Sequence, residues 1–248
     1  VLGASRGLGA AIARTLAEEG ADVLAASRSG GISWAETLPS AVRQRIRPVI
    51  LDLAEVEARM RTVDTLLAEA PIDILVNNSG GPPPGSVTDV TAAAWRQNFD
   101  LMAASLFDIT ARAAPIMAAR GWGRILTIVS SGVDQPIPNL GISNTIRSSI
   151  VGWSKTLANE LASKGVTVNI LLPGRIHTDR VEELDRAAAS RTGSTQEEVA
   201  RASAASIPAG RYGTTAEFAA VATFLCSVQA SYVTGSKIRI DGGSIRSI

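Results

Sequence analysis

Short apolar runs alternate along the chain with longer stretches of helical period. Ala21–Ala26, Pro48–Leu51, Ile72–Val76, Arg124–Val129, Val166–Leu172 and Lys237–Ile240 are rich in Val, Ile and Leu and show no clear period of two. That pattern predicts strands buried on both faces, hence a parallel sheet covered by helices. Between the runs, Leu8, Ile12 and Leu16 repeat every four residues and meet a stop at Gly20. Val56, Met60, Val63 and Leu67 form a similar stripe, and Ile146, Ile150, Trp153, Leu157 and Leu161 form another that ends at Gly165. The alternation predicts an α/β fold with one doubly wound, Rossmann-type parallel sheet between two helical layers and right-handed crossovers. Residues 1–248 read as one such domain. Val1-Leu2 runs straight into a glycine loop, so the first strand is expected to begin before Val1. From Thr178 to about Gly210 no strand is visible. This Ala-, Arg- and Glu-rich stretch predicts one or two helices inserted over a site, at about residues 178–208. The apolar stretch holding Phe107 and Ile109 also contains Pro115, which is expected to kink it.

Composition narrows the partners. Lys plus Arg number 24 and Asp plus Glu 23, for a net charge of +1. So small an excess argues against nucleic acid or an anionic membrane as the main partner. One Cys and one His leave no disulfide framework and no Cys- or His-rich metal site. No run approaches 18 uninterrupted apolar residues and no targeting segment is visible, so a cytoplasmic protein without a membrane span is expected. Only two residues are Tyr, which leaves few phenols for acid–base work.

The chemistry begins at Gly3-Ala-Ser-Arg-Gly-Leu-Gly9, a GxxxGxG loop between a strand and a helix. Its glycines let backbone approach a pyrophosphate, and the following helix N-terminus offers free N–H groups. Gly3, Ser5, Arg6, Gly7, Leu8 and Gly9 are therefore candidate cofactor contacts. An NAD site places a carboxylate at the end of the second strand. Here the strand ends Ser27-Arg28. Arg28 and Arg6 are suited to a 2′-phosphate instead, so NADP(H) is expected over NAD(H). Asn77 and Asn78 are placed either to staple their loop or to touch the cofactor. Thr178 offers its hydroxyl to a carboxamide or caps the inserted helix.

These motifs, in this order, resemble the short-chain dehydrogenase/reductase family, above all its 3-oxoacyl-carrier-protein-reductase-like branch. Asp52-Leu53 resembles the family's adenine-contacting pair, and Asn77-Asn78-Ser79-Gly80 its Asn-Asn-Ala-Gly motif. Pro173-Gly174-Arg-Ile176-His-Thr178 is similar to its nicotinamide-contacting segment. Tyr232-Val-Thr-Gly235 and Asp241-Gly-Gly243 are similar to its closing signature. The resemblance implies cofactor contacts at Asp52, Leu53, Asn78, Ser79, Gly80, Pro173, Gly174, Ile176 and Thr178. It also implies oxidoreductase activity on a small molecule and a homo-oligomer, a tetramer or dimer.

The same family works with Asn, Ser, Tyr and Lys, and here the match breaks. An ungapped alignment from Gly152-Trp-Ser-Lys-Thr-Leu-Ala158 puts Ser143 at the Tyr position and Arg147 at the Lys position. Ser130 takes the Ser position, or Ser131 on a one-residue shift. Met102 takes the Asn position, with Asn98 a helical turn away. Ser143 and Arg147 share a helix face. A serine hydroxyl is a far weaker acid than a phenol of pKa about 10, and an arginine with pKa above about 12 shuttles no proton at neutral pH. Arg147 can bind ribose or stabilise an oxyanion. Loss of a positioned general acid costs about 10²–10⁴-fold. His177, a residue type that titrates near neutrality, and Asp134 are substitute proton carriers. Tyr212 and Tyr232 are expected to pack in the core or against a subunit. The expected catalytic set is Ser130, Ser143 and Arg147 in an atypical NADP(H)-dependent oxidoreductase. The alternatives are a catalytically silent NADP(H)-binding sensor or partner subunit, and a non-redox lyase or isomerase.

Overall fold

A computed structural model describes residues 1–247. Its strands are β1 (Val23–Ser27), β2 (Ile46–Ile50), β3 (Ile74–Asn77), β4 (Gly123–Ile128), β5 (Val166–Pro173) and β6 (Lys237–Ile240). Its helices are α1 (Gly7–Glu18), α2 (Ser40–Arg43), α3 (Val56–Glu69), α4 (Ala92–Phe99), α5 (Ser105–Arg120), α6 (Gly141–Leu161), α7 (Asp179–Thr192), α8 (Gln196–Ser206) and α9 (Thr215–Cys226). The inserted stretch is thus two helices, α7 and α8.

All paired strands are parallel, in two ladders, β1-β2 and β3-β4-β5-β6. The N-terminal segment Val1–Ala4 joins them. Leu2 bridges to Ala26 on one side, and its N–H donates to the Val76 carbonyl at 3.0 Å on the other. Ala4 N–H donates back to Ala26 at 3.0 Å. The resulting order is β2-β1-(Val1–Ala4)-β3-β4-β5-β6, and it reverses direction at the N-terminal segment. In open α/β sheets ligands bind at such a reversal, beyond the carboxyl ends of the strands.

Strand edges differ from the sequence expectation where position in the sheet explains it. β2 runs through Pro48 instead of starting there. It pairs only with β1, and an edge strand tolerates a residue without an N–H. β4 and seven of the eight β5 residues are buried, as expected of strands covered on both faces. One face packs under α3, α5 and α6 through Val63, Leu106, Met117, Ile146 and Ile150. The other packs under α1 and α9 through Ile12, Leu16, Phe218 and Ala222. Cys226 lies buried in the second layer, and burial pushes its thiol up to about 12.

Between α4 and α5 the helix widens into a π turn over Asp100–Ala104, and Pro115 lies within α5. By length and composition the continuous run Ala92–Arg120 is apolar enough to cross a membrane. Its Leu106, Ile109, Ala113 and Met117 are instead buried under the sheet. α6 gives way to a short turn and Gly165, whose φ is +74°. A Cβ there would lie 2.0 Å from the Gly121 carbonyl oxygen, so glycine is required by both conformation and space.

Phe218 is fully buried where α9 meets the sheet. Phe218→Ala is expected to lower unfolding stability by about 3–5 kcal/mol, measured by denaturant titration.

Candidate active site

The glycine loop leaves the N-terminal segment at the sheet reversal and enters α1. Gly3 and Gly7 hold φ of +63° and +58°. A Cβ on Gly9 would lie 2.3 Å from the Gly3 carbonyl oxygen, and one on Gly3 would lie 2.6 Å from Asn78 Nδ2. Asn78 staples the loop, its amide donating to the Leu2 and Gly3 carbonyls at 3.3 and 3.4 Å. The Trp34 indole N–H adds a bond to the Ala4 carbonyl at 2.9 Å. Arg6, at the N-cap of α1, gives no side-chain cap, so the first N–H groups of the helix keep their capacity for a ligand. A pyrophosphate fits this cradle, because the glycines let the loop pack closely on itself and the first N–H groups of α1 remain without side-chain caps.

The adenosine end is built from β1 and the loop after β2. Ser27 Oγ is buried without a hydrogen-bond partner, an orphan next to exposed Arg28. Asp52 folds back on its own turn, its carboxylate accepting from Ala54 N–H at 3.0 Å. The Leu53 carbonyl accepts from the Arg59 guanidinium, and Arg59 in turn pairs with Asp108 at 2.8 Å. Arg59 is only 3% exposed and anchors the loop carrying Asp52 and Leu53.

The reaction end collects residues from four elements. Arg147, on α6, is buried and donates to the carbonyls of Ile128 at 3.1 Å, Ser79 at 3.4 Å and Gly80 at 3.4 Å. It thereby ties the end of β4 to the Asn78-Ser79-Gly80 loop after β3. Burial, then the nearby charge of Arg180, lowers its pKa to about 10, which keeps it charged at neutral pH. Ser143, one turn earlier, is also buried. Ser130 caps the short turn Ser131–Val133, its Oγ accepting from Gly132 N–H at 3.0 Å. A Cβ on Gly132 would lie 2.5 Å from Asn144 Oδ1, so this turn sits directly against the start of α6. Ser79 Oγ donates to the Met102 carbonyl in the π turn at 3.4 Å. Met102 itself is buried, and the Asn98 amide is spent on Ala94 of its own helix. At the fourth element, Gly174 N–H donates to the Ile240 carbonyl at 2.9 Å, and Ile176 bridges to Gly213. These bonds fix Pro173–Thr178 between β5, β6 and the α9 approach.

His177 and Asp134, weighed as proton carriers, have distinct surroundings. His177 is exposed and packs against Tyr212, ring centroids 5.2 Å apart and planes tilted by 51°. The Asp134 carboxylate is held by Lys237 at 2.5 Å and Arg239 at 2.7 Å. Burial alone would raise its pKa, and the hydrogen bonds from the two cations outweigh that and lower it, so it is a poor proton donor. Tyr212 is buried and donates to Asp185 of α7 at 2.9 Å, while Tyr232 is fully exposed. Thr178 caps α7, accepting from Val181 N–H at 3.3 Å.

Sequence reasoning missed the contacts of α7. Arg6 pairs with Asp179 at 2.6 Å and reaches Glu183 at 3.8 Å, so the first turn of α7 lies against the glycine loop. Arg180 donates to the Pro82 carbonyl at 2.6 Å. Arg175 and Tyr212 both bond Asp185, which is 2% exposed. The only sequence signal for these was that α7 follows the Pro-Gly segment directly.

Residues 3–244 match the family described as enoyl-(acyl carrier protein) reductase. The chain is 33% identical to the 3-oxoacyl-[acyl-carrier-protein] reductase FabG of Salmonella typhimurium, over 98% of this chain and 95% of that one. Its fold is similar to that of YwfH, an NADPH-dependent reductase involved in bacilysin biosynthesis, with a TM-score of 0.91 at 28% identity over 100% and 98% of the two chains. It is also similar to an actinorhodin polyketide ketoreductase with NADPH, with a TM-score of 0.89 at 28% identity over 98% and 95%. The chain belongs to the short-chain dehydrogenase/reductase family.

Gly9→Ala places a methyl group against the Gly3 carbonyl and forces the cradle apart. Dinucleotide affinity, measured by fluorescence titration, is expected to fall at least about tenfold, the loss of one or two hydrogen bonds to a charged group.

Proposed function

We propose that the chain is an NADP(H)-dependent oxidoreductase that reduces a carbonyl or oxidises an alcohol, with Ser143 and Arg147 in place of the family's Tyr and Lys. The observation that carries this reading is Arg147, buried as a cation where the β3 loop, β4 and α6 meet, beside an intact dinucleotide cradle. The reductases similar to this chain include an NADPH-dependent reductase and a ketoreductase with NADPH, and Arg28 beside the orphaned Ser27 hydroxyl suits a 2′-phosphate.

Gly3, Ser5, Gly7, Leu8 and Gly9 hold the pyrophosphate, Ser27 and Arg28 the ribose phosphate, and Asp52 and Leu53 the adenine. Arg6 serves the phosphate on leaving Asp179. Asn78, Ser79, Gly80, Pro173, Gly174, Ile176 and Thr178 frame the nicotinamide. When bound, NADPH supplies a hydride. Ser130 Oγ accepts from Gly132, which leaves its O–H free to donate to a substrate oxygen. Arg147 stabilises negative charge as it develops on that oxygen, and the proton comes from water, because neither Ser143 nor Arg147 is an acid at neutral pH. α7 and α8 form a lid over this end. The protein is a homo-oligomer: a groove of about 450 Å³ lined by Trp95, Phe99 and Ile146 leaves Phe99 40% exposed, an apolar face suited to a second copy.

The second reading, a silent NADP(H)-binding subunit, draws on the Ser143 and Arg147 replacements. Incubation with NADPH and a panel of carbonyl compounds separates the two. Cofactor oxidation dependent on the carbonyl and abolished by Ser130→Ala is expected. Tight NADPH binding with no oxidation against any carbonyl would favour the silent subunit. Arg28→Ala is expected to weaken NADPH binding by about ten- to a hundredfold and NADH binding by less than about twofold, measured by fluorescence titration.

A further inference from the structure

Arg147 is 7% exposed, and its guanidinium donates to three backbone carbonyls. Among the described residues this cation has no counterion. Ser143, one turn away, carries no charge. A second cation, Arg180 on α7, lies on the same loop. It donates to the Pro82 carbonyl at 2.6 Å, and a Cβ on Gly81 would come within 3.2 Å of its guanidinium. Among the described residues its one carboxylate contact is Glu183, at 3.4 Å, and Glu183 is shared with Arg6 at 3.8 Å. Two guanidinium groups are therefore held on one short loop, residues 79–82. Within it, Gly80 is exposed, and a Cβ there would meet nothing within 4 Å.

Holding like charges together is unfavourable, and burying one of them adds the cost of desolvation. An anion placed at Gly80 relieves both. No side chain of the loop supplies one, since residues 79–85 are Ser, Gly and Pro throughout.

We propose that the substrate itself supplies the negative charge: a small oxo-carboxylate, with its carboxylate on Arg180 and its carbonyl oxygen on the Arg147 side of Gly80. This rests on the reductase reading above. The carbonyl carbon gains one hydride from NADPH, which becomes NADP⁺. The carbonyl π pair becomes an O–H bond on taking one proton from water. The carboxylate is unchanged. A guanidinium fits this role because its planar fork donates two parallel hydrogen bonds to a carboxylate.

The test compares 2-oxo acids with their methyl esters, using the full chain and saturating NADPH. The acids are expected to show kcat/KM at least about tenfold above the esters, as for a charged hydrogen-bonded pair. In Arg180→Gln that ratio is expected to collapse towards one, and in Arg180→Lys, which keeps the charge, to persist in part. Calorimetric binding of a 2-oxo acid to the chain–NADP⁺ complex gives a reading independent of turnover, and Arg180→Gln is expected to abolish it. Equal turnover of acid and ester, an unmoved ratio in Arg180→Gln, or no acid binding would overturn the proposal. So would Arg180→Gln weakening NADP(H) while leaving the ratio intact, which would assign Arg180 to the cofactor. Acid binding that needs Arg180, with no carbonyl reduced at all, would uphold the anion site and overturn the reductase reading.

Discussion

The reaction end depends on one buried guanidinium. Arg147 gathers carbonyls from the end of β4 and from the loop after β3, and these segments would otherwise end as separate strand termini. Each carbonyl is a backbone acceptor that needs a partner once out of water. The arrangement therefore serves structure and chemistry together. The bonds that hold the loop in place also hold a positive charge beside the route to the nicotinamide end. A lysine offers three rotatable donors from a single nitrogen, whereas arginine offers a fixed fork. The fork is what lets one side chain span Ile128, Ser79 and Gly80.

Arg59 repeats the device at the other end of the cofactor cleft. It too is buried, donates to a backbone carbonyl of a ligand-side loop, and leans on one carboxylate, Asp108. Asn78 and Trp34 do comparable work on the glycine loop with neutral donors. The cleft is thus shaped by side chains that bond backbone, most of them placed behind the surface a ligand would touch.

Much of the fold was legible in the sequence because parallel strands buried on both faces read as plain apolar runs, and all six such runs became strands. The glycine loop and its Asn78 staple were legible too, since both are local in sequence or fixed in order. Short α2 and the start of α4 were not, since neither presents a repeating apolar stripe. Ser143 and Arg147 were placed on one helix face by their spacing, yet what Arg147 bonds was not legible, because its partners lie 19 to 68 residues away. Separation along the chain also hid Arg6 with Asp179, 173 residues apart, and Tyr212 with Asp185, 27 apart. Arginine and aspartate look alike in sequence whether they face water or each other. The pairing of Asp134 with Lys237 and Arg239 was hidden in the same way, because both cations lie far from it in sequence.

The ionic and hydrogen-bonded contacts of α7 differ in exposure along its length. Near its middle, the buried Asp185 carboxylate takes a buried bond from Tyr212 and a partly buried one from Arg175. At its tip, Arg6 and Asp179 meet with both side chains about three-fifths exposed. Exposed pairs weaken as salt rises, and buried bonds are screened far less. Ionic strength therefore acts as a selective solvent for one end of this helix: it loosens the tip over the glycine loop and leaves the pivot standing.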